Sequence, residues 1–248
     1  MDKVPMNIFS KRIPEPKNMG KIKLQAFEAL SIKNYSRWII PFVDDVLETS
    51  GLTSGRILDI ACGPGFLFKE FARRSKNFQV YGIDISPYAI SLSKKRRTKY
   101  GNVIFQYGSA ERIPFGDALF DLVVCKDSIH EFADIKIALE EMLRVVKNEG
   151  FVYIQDLRRD LPRYLLRRSI PPDTIVKKLQ FYSTRAAYTQ QEFRSLLKTL
   201  CIKRYRLRTR KVTKRLKKKY LGIVNCAQLK EAFQARFVAV IKKPLSSS

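Results

Sequence analysis

The chain has 248 residues, 45% of them apolar, and a formal net charge of +25. This length suits one well-buried α/β domain with an extension and leaves little room for a second domain. No apolar run approaches the roughly 18 residues of a membrane-spanning helix, and the first residues lack the apolar core of a secretory signal, so a cytoplasmic protein is expected. Four widely spaced cysteines and a single histidine argue against a metal site, and unpaired thiols suit a reducing compartment.

The positive charge is concentrated in the last part of the chain. Residues 151–248 hold 25 Lys and Arg against 5 Asp and Glu. Such an excess suits a polyanionic partner, such as RNA, an anionic membrane surface or a phosphorylated substrate, or else a solvated basic face. Alternate positions from Arg204 to Arg210 are arginines, which on a strand would share one face as a cationic stripe. The competing interpretation is an edge strand protected by charge against aggregation.

The first half of the chain predicts alternating strands and helices after an N-terminal extension. Residues 1–30 are expected to form an irregular basic arm, and residues 31–50 have helical spacing that Pro41 interrupts. Helices are predicted at 66–74, after Ser86 and at 135–146. Strands are predicted at 56–61, 79–83, 103–107, 119–125 and 151–155. This alternation predicts βαβ units and a parallel sheet.

The regular alternation ends after residue 156. Residues 157–188 are rich in Arg and Pro and are predicted to form a basic, inserted helical segment. Thr189, with Glu192 three residues later, predicts a capped helix over 189–200. Residues 202–212 and 237–241 are predicted to form a closing antiparallel hairpin. Residues 31–248 are therefore expected to make one domain.

The strongest functional signal is the segment ILDIACGPGF at residues 57–66, which predicts a strand, a glycine turn and a helix. Gly63 and Gly65 would let the backbone approach a ligand, and the helix that follows offers free N–H groups. Phe68 replaces the third glycine of the dinucleotide pattern. Asp59, just before the turn, would repel a pyrophosphate, whereas it can bind a cationic amino group.

This segment resembles the nucleotide loop of class I S-adenosylmethionine (SAM)-dependent methyltransferases, and further motifs follow in that family's order. Residues 80–86 resemble its second strand, whose terminal acid, here Asp84, binds ribose hydroxyls. Residues 108–115 resemble the stretch that touches adenine, with Ser109 where aspartate is usual. Residues 120–124 and 143–150 resemble the fourth strand and the turn before the fifth. The motifs are most similar to those of the ubiquinone/menaquinone methyltransferase-like branch.

The resemblance implies a doubly wound, mostly parallel seven-stranded sheet with an antiparallel C-terminal hairpin, which is the Rossmann-like methyltransferase fold, and SAM as cofactor. The cofactor-binding residues that it implies are Asp59, Ala61, Gly63, Gly65, Asp84, Ile85, Ser109, Ala110 and Lys126.

The methyl acceptor should lie beyond the carboxyl ends of the fourth and fifth strands. His130 is a candidate general base there, with Asp127 as a second candidate, although a packed or solvated histidine beside the site is the competing interpretation. Arg158 and Arg159 are candidates for holding a carboxylate or phosphate of the acceptor, or else form an exposed basic turn.

Similar small-molecule methyltransferases carry a lid or acceptor-shaping segment after the fifth strand. Residues 157–188 are expected to act as one here, with Tyr182 and Arg185 lining the acceptor pocket.

A small-molecule acceptor is favoured because the motifs are most similar to those of small-molecule methyltransferases. An RNA methyltransferase is the first alternative, because of the basic C-terminal part. A non-catalytic binding protein with this fold is the second, and the intact Asp59, Gly63, Gly65 and Asp84 argue against it. Base amino-group methylation is disfavoured because no proline follows the fourth strand. Cys125 lacks the sequence context of a cytosine C5 nucleophile and is expected to be a buried strand residue.

Overall fold

The computed structural model describes residues 9–15, 20–96, 102–166, 173–210 and 225–245. The strands are β1 (Gly55–Ile60), β2 (Phe78–Asp84), β3 (Val103–Tyr107), β4 (Phe120–Lys126), β5 (Val146–Leu157), β6 (Tyr205–Thr209) and β7 (Arg236–Lys242). The helices are α1 (Gly20–Lys33), α2 (Tyr35–Trp38), α3 (Ile40–Ser50), α4 (Phe66–Arg74), α5 (Pro87–Arg96), α6 (Ile135–Val145), α7 (Arg163–Leu166), α8 (Ile175–Ala186), α9 (Gln190–Thr199) and α10 (Cys226–Gln234).

The seven strands form one sheet in the order β3-β2-β1-β4-β5-β7-β6. The first five strands in this order are parallel to their neighbours, and β7 runs antiparallel to both β5 and β6. The order reverses between β1 and β4, which places the ligand-binding crevice of a doubly wound sheet at their carboxyl ends. The predicted doubly wound, mostly parallel sheet is confirmed.

The C-terminal strands pair antiparallel as predicted, but they do not form a simple hairpin. Helix α10 lies between β6 and β7 along the chain, and β7 rather than β6 adjoins β5. The last two residues of the predicted strand 202–212 lie outside the described residues. Strand β7 takes the inner position because its five central residues, 237–241, are all apolar and buried, whereas arginines alternate along β6.

Apolar side chains cover both faces of the sheet. Leu58, Ile60 and Val123 belong to one buried cluster, and Ile57 and Val124 to another. A sheet covered on both faces needs nearly continuous apolar strands, which accounts for the short apolar runs in the sequence. Among the described residues, no helix combines the length and apolar content that crossing a bilayer requires.

The N-terminal part is more regular than predicted. Residues 20–30, assigned to an irregular arm, form most of helix α1. The prolines precede this stretch, while Leu24, Phe27 and Ser31 recur at helical spacing and are at least partly buried. Residues 9–15, called here the N-terminal strap, extend to α8, where the backbone N–H of Ile13 donates to the Arg185 carbonyl at 3.1 Å.

Helix α9 begins with the predicted capping box. The Thr189 hydroxyl accepts from the Glu192 N–H at 3.1 Å, and the Glu192 carboxylate accepts from the Thr189 N–H at 2.8 Å. We expect Thr189→Ala to lower the free energy of unfolding by about 1 kcal/mol, since the side-chain acceptor of a helix N-terminus is lost. Urea denaturation would measure this. The matched control is Thr199→Ala in the last turn of α9, and an equal loss in both variants would contradict the assignment.

Candidate active site

The turn after β1 has the left-handed backbone that its glycines allow. Gly63 and Gly65 have φ of 52° and 77°, and Ala61 has φ of 54°. No atom lies within 4 Å of a Cβ built on Gly63, so the backbone there is open to a ligand. A Cβ on Gly65 would lie 2.9 Å from the Ser93 Cβ. Gly63 therefore leaves space for a ligand, whereas Gly65 allows close packing between α4 and α5.

Two carboxylates flank this turn. Asp84, at the end of β2, accepts from the Gly63 N–H and from the Ser86 N–H, each at 2.8 Å. Asp59 lies in β1 and is 2% exposed, and its Oδ2 has no hydrogen-bond partner. Burial raises the pKa of Asp59 well above its usual range, and the charge of Asp84 adds to the rise, which Lys126 partly offsets. A buried carboxylate oxygen without a hydrogen-bond partner is stabilised when a cationic donor binds to it.

The segment after β3 makes an internal contact that the sequence does not reveal. The Ser109 hydroxyl donates to the Glu111 carboxylate, which also accepts from the Ala133 N–H at 2.9 Å. Glu111 therefore joins this segment to the loop after β4. Ala110 is buried, and Ile85 is an exposed apolar side chain directly after β2.

Asp127 forms buried ion pairs. Its Oδ2 accepts from the Lys126 ammonium at 2.5 Å, and its Oδ1 from the Arg236 guanidinium at 2.7 Å. Burial raises the pKa of Asp127, but Arg236 and Lys126 outweigh burial and hold it well below its usual range. Asp127 is therefore ionised with both oxygens engaged, and this arrangement argues against the predicted role as a second base.

His130 lies in a short 3₁₀ helix, Ile129–Glu131, after β4. Its Nδ1 is 2.8 Å from Asp156 Oδ1, and its backbone N–H donates to Asp156 Oδ2 at 2.9 Å. Burial disfavours the charged ring, but Asp156 and Glu15 outweigh burial and raise the pKa of His130 to about 10. His130 is therefore an imidazolium near neutral pH, which suits a hydrogen-bond donor rather than the predicted general base.

The N-terminal strap brings Glu15 to the same place. Glu15 Oε1 accepts from the Ser183 hydroxyl at 2.5 Å and lies 3.4 Å from His130 Nε2, while Oε2 pairs with the Lys23 ammonium. Lys23 also pairs with Glu131 at 2.8 Å. Burial raises the pKa of Glu15, but His130 and Lys23 outweigh burial and lower it to about 2. The sequence carries no signal for this cluster, since its members lie far apart along the chain.

The donor atoms of Glu15, His130 and Glu131 lie within 4.8 Å of one another, a spacing that a metal ion can use. The Lys23 ammonium contacts both carboxylates. The Lys23 ammonium therefore already supplies a positive charge to the two carboxylates that a metal ion would use.

The two arginines after β5 bind within the protein. Arg159 is 3% exposed and donates to the carbonyls of Phe9 and Ala187 and to the carboxylate of Glu192. Arg158 donates to Asp160 at 2.8 Å and to Thr209 at 2.7 Å. Arg159 thus joins the strap to the capping box of α9. Because its side chain is buried, it has no exposed surface for the predicted contact with a carboxylate or phosphate of the acceptor.

The end of α8 lies beside the Glu15 cluster. Arg185 stacks on Phe181 and Tyr182, with its guanidinium carbon 5.3 and 5.5 Å from the ring centroids. Its Nε is buried without a hydrogen-bond partner. The segment predicted to shape the acceptor pocket therefore adjoins His130 through Ser183 and the strap. Residues 167–172 of that predicted segment lie outside the described residues.

A family model described as a methyltransferase domain matches residues 53–227. The chain belongs to the methyltransferase domain family. This membership, together with the fold, confirms the resemblance to class I SAM-dependent methyltransferases, an enzyme family whose cofactor is SAM.

Relatives of this methyltransferase-family chain include quinone methyltransferases. The demethylmenaquinone methyltransferase of Chlorobaculum parvum is 30% identical over 151 residues, which cover 61% of this chain and 56% of that protein. The ubiquinone/menaquinone biosynthesis C-methyltransferase UbiE of Geotalea daltonii is 36% identical over 117 residues, covering 46% and 49%. The chain spans about half the length of these relatives.

Solved structures share the fold of this family member at low sequence identity. The plantazolicin methyltransferase BpumL, in complex with a triazolic desmethylPZN analog and SAH, has a TM-score of 0.69 and 20% identity, covering 96% of this chain and 94% of that one. A putative SAM-dependent methyltransferase of Methanococcus maripaludis has a TM-score of 0.68 and 21% identity, covering 95% and 98%.

The residues around the glycine turn fit SAM. The unpaired Oδ2 of Asp59 suits the ammonium of the cofactor's amino-acid part. The open space at Gly63 admits a ligand against the backbone. Each oxygen of Asp84 holds one backbone N–H and keeps a lone pair for a hydroxyl.

Proposed function

We propose that the protein transfers the methyl group of SAM to a small-molecule acceptor bound beyond the carboxyl ends of β4 and β5. The observation that carries this proposal is the convergence of buried polar groups at that place. His130 and Asp156 are buried there, Glu15 of the strap lies 3.4 Å from His130 Nε2, and Ser183 of α8 donates to Glu15. Convergent polar groups with perturbed pKa values are typical of a site for a small ligand. The activity in the names of the quinone methyltransferase relatives supports the same substrate class.

In this mechanism bound SAM supplies an electrophilic methyl group on its sulfonium. Asp59 would hold the ammonium of the cofactor, and the open backbone at Gly63 would adjoin the bound cofactor. His130, whose ring is fixed by Asp156, donates a hydrogen bond from Nε2 to an oxygen of the acceptor. The strap and α8 exclude water, so that positioning and desolvation lower the barrier.

The predicted cationic stripe on β6 gives the RNA alternative less support than the sequence suggested. Arg204 pairs with Glu149 at 2.5 Å, and Arg208 pairs with Asp45 at 2.9 Å. Arg210 is 2% exposed and donates to Gln155. Three of the four arginines of the stripe thus have partners within the protein, while the side chains of Arg204 and Arg208 remain 46% and 41% exposed and Arg206 is exposed. The basic residues 211–219 lie outside the described residues.

Methyl-labelled SAM tests the substrate class. The purified protein is incubated separately with total RNA and with a small-metabolite extract of the source cells, and we expect label in the metabolite fraction. Asp59→Asn serves as the inactive control, because it removes the proposed ammonium contact while keeping the side-chain shape. Label that enters RNA, and that this substitution abolishes, would instead establish the RNA alternative.

A further inference from the structure

We propose that the pocket now holding the Glu15 side chain is a carboxylate subsite of the acceptor, and that Glu15 occupies it until a carboxylate-bearing acceptor binds. The assignment of this ligand to the acceptor depends on the function proposed above. The subsite itself depends on the contacts around Glu15.

Three donors from three parts of the fold surround one carboxylate. They are His130 from the turn after β4, Lys23 from α1 and Ser183 from α8. Two of them are cations, and the Glu15 side chain is only 8% exposed. A hydroxyl and two charged donors around a buried position form a binding site for a carboxylate rather than for a neutral group.

Glu15 fills this site incompletely. Its Oε1 lies 3.4 Å from His130 Nε2, beyond the usual 2.7–3.2 Å of a hydrogen bond. His130 Nε2 has no hydrogen-bond partner, although the side chain is 2% exposed and Asp156 fixes its direction. A buried donor left without a hydrogen-bond partner costs free energy. A ligand carboxylate that approaches His130 more closely would recover this energy.

The subsite lies where the acceptor of this fold binds. Asp156 belongs to β5 and His130 follows β4, so the cluster sits at the carboxyl ends of two adjacent parallel strands. Arg12 of the strap donates to the carbonyls of His130 at 3.0 Å and Ala186 at 2.7 Å. The strap thus crosses the acceptor side and carries the Glu15 carboxylate into it.

The contacts of the two cations also favour exchange of one carboxylate for another. His130 and Lys23 each contact Glu15 and one further carboxylate, Asp156 and Glu131 respectively. A ligand carboxylate in place of Glu15 keeps both of these contacts for each cation. A neutral ligand would leave both cations short of one partner, so the pocket should select against it.

The single histidine makes the subsite directly observable, because every imidazole resonance in an NMR spectrum of the untagged chain belongs to His130. Glu15→Ala should empty the pocket. We expect the pKa of His130 to fall by more than one unit in this variant and to be restored by acetate and by benzoate. The neutral counterparts, acetamide and benzamide, should have no effect. This readout needs neither SAM nor turnover, so it separates the subsite from the methyl-transfer proposal.

The matched control is Glu131→Ala, which removes the other carboxylate near His130 Nε2, at 3.8 Å, without emptying the pocket. Acetate should not change the pKa of His130 in the Glu131→Ala variant. Equal effects of benzoate and benzamide would overturn the subsite. Rescue by acetate but not by benzoate would show a cavity for a side chain alone and would overturn the acceptor assignment.

If Glu15→Ala does not fold, Glu15→Gln replaces it. Acetate should then shift the resonance at an at least tenfold lower concentration than in the wild type, and an unchanged concentration would overturn the proposal.

Discussion

Replacing Asp59 with asparagine is expected to weaken SAM binding by a factor of about 100 to 4,000 and, without SAM, to raise the melting temperature. Asp59 is a buried carboxylate whose pKa is raised by burial and by Asp84, so its ionised form destabilises the cofactor-free protein. Once the cofactor ammonium pairs with it, removing the charge costs roughly 3–5 kcal/mol, and about 1.4 kcal/mol corresponds to a factor of ten in affinity. The two effects therefore have opposite signs.

Calorimetric titration with SAM and thermal melts without it would measure both effects. The matched control is Asp173→Asn, since that side chain is 54% exposed and pairs with Lys177 on the surface of α8. It should change neither quantity appreciably. Unchanged SAM affinity in Asp59→Asn would refute the ammonium contact, and a lower melting temperature without SAM would refute the unfavourable charge.

The second large effect concerns pH. The free energy of unfolding should fall by roughly 3–5 kcal/mol between pH 6.5 and pH 10 because of His130, at about 1.36 kcal/mol per pKa unit. The pKa of this ring is raised to about 10 in the folded protein, so the folded state keeps a proton that the unfolded chain loses near pH 6.5. The stabilisation is thus complete below pH 6.5 and is lost as the pH rises through about 10.

Urea denaturation at pH 6.5, 8 and 10 tests this effect when the wild type is compared with His130→Asn. Lysine and tyrosine residues also titrate near pH 10, but they do so in both proteins, so the difference between the two profiles reports His130. The difference should shrink steadily with rising pH. Parallel profiles would show that the ring is not held as an imidazolium.

The cofactor side of the molecule was predictable because its signals are local. The apolar run of β1 and the glycines that follow determine a strand, a left-handed turn and a helix within ten residues, and the structure places helix α4 at the predicted bounds. The capping box at Thr189 is equally local. Each of these signals depends on neighbours in sequence, so tertiary packing has little opportunity to override it.

The acceptor side was not predictable in the same way. Glu15, His130 and Ser183 carry no common spacing, and only the fold brings them into contact. Periodicity placed Arg208 and Arg210 on one face of the predicted strand 202–212, but it could not show that Arg208 pairs with Asp45 or that Arg210 donates to Gln155. The pKa of His130 likewise follows from its contact with Asp156, which no spacing in the sequence indicates.

The position of β7 in the sheet has a consequence for synthesis of the chain. Both β5 and β6 are made before β7, yet each pairs with β7 and not with the other. Until β7 leaves the ribosome, β5 presents an open apolar edge and β6 has no partner, a state exposed to aggregation. The arginines that alternate along β6 carry like charge, so we expect them to protect the nascent chain during this interval, a role separate from their ion pairs in the finished fold.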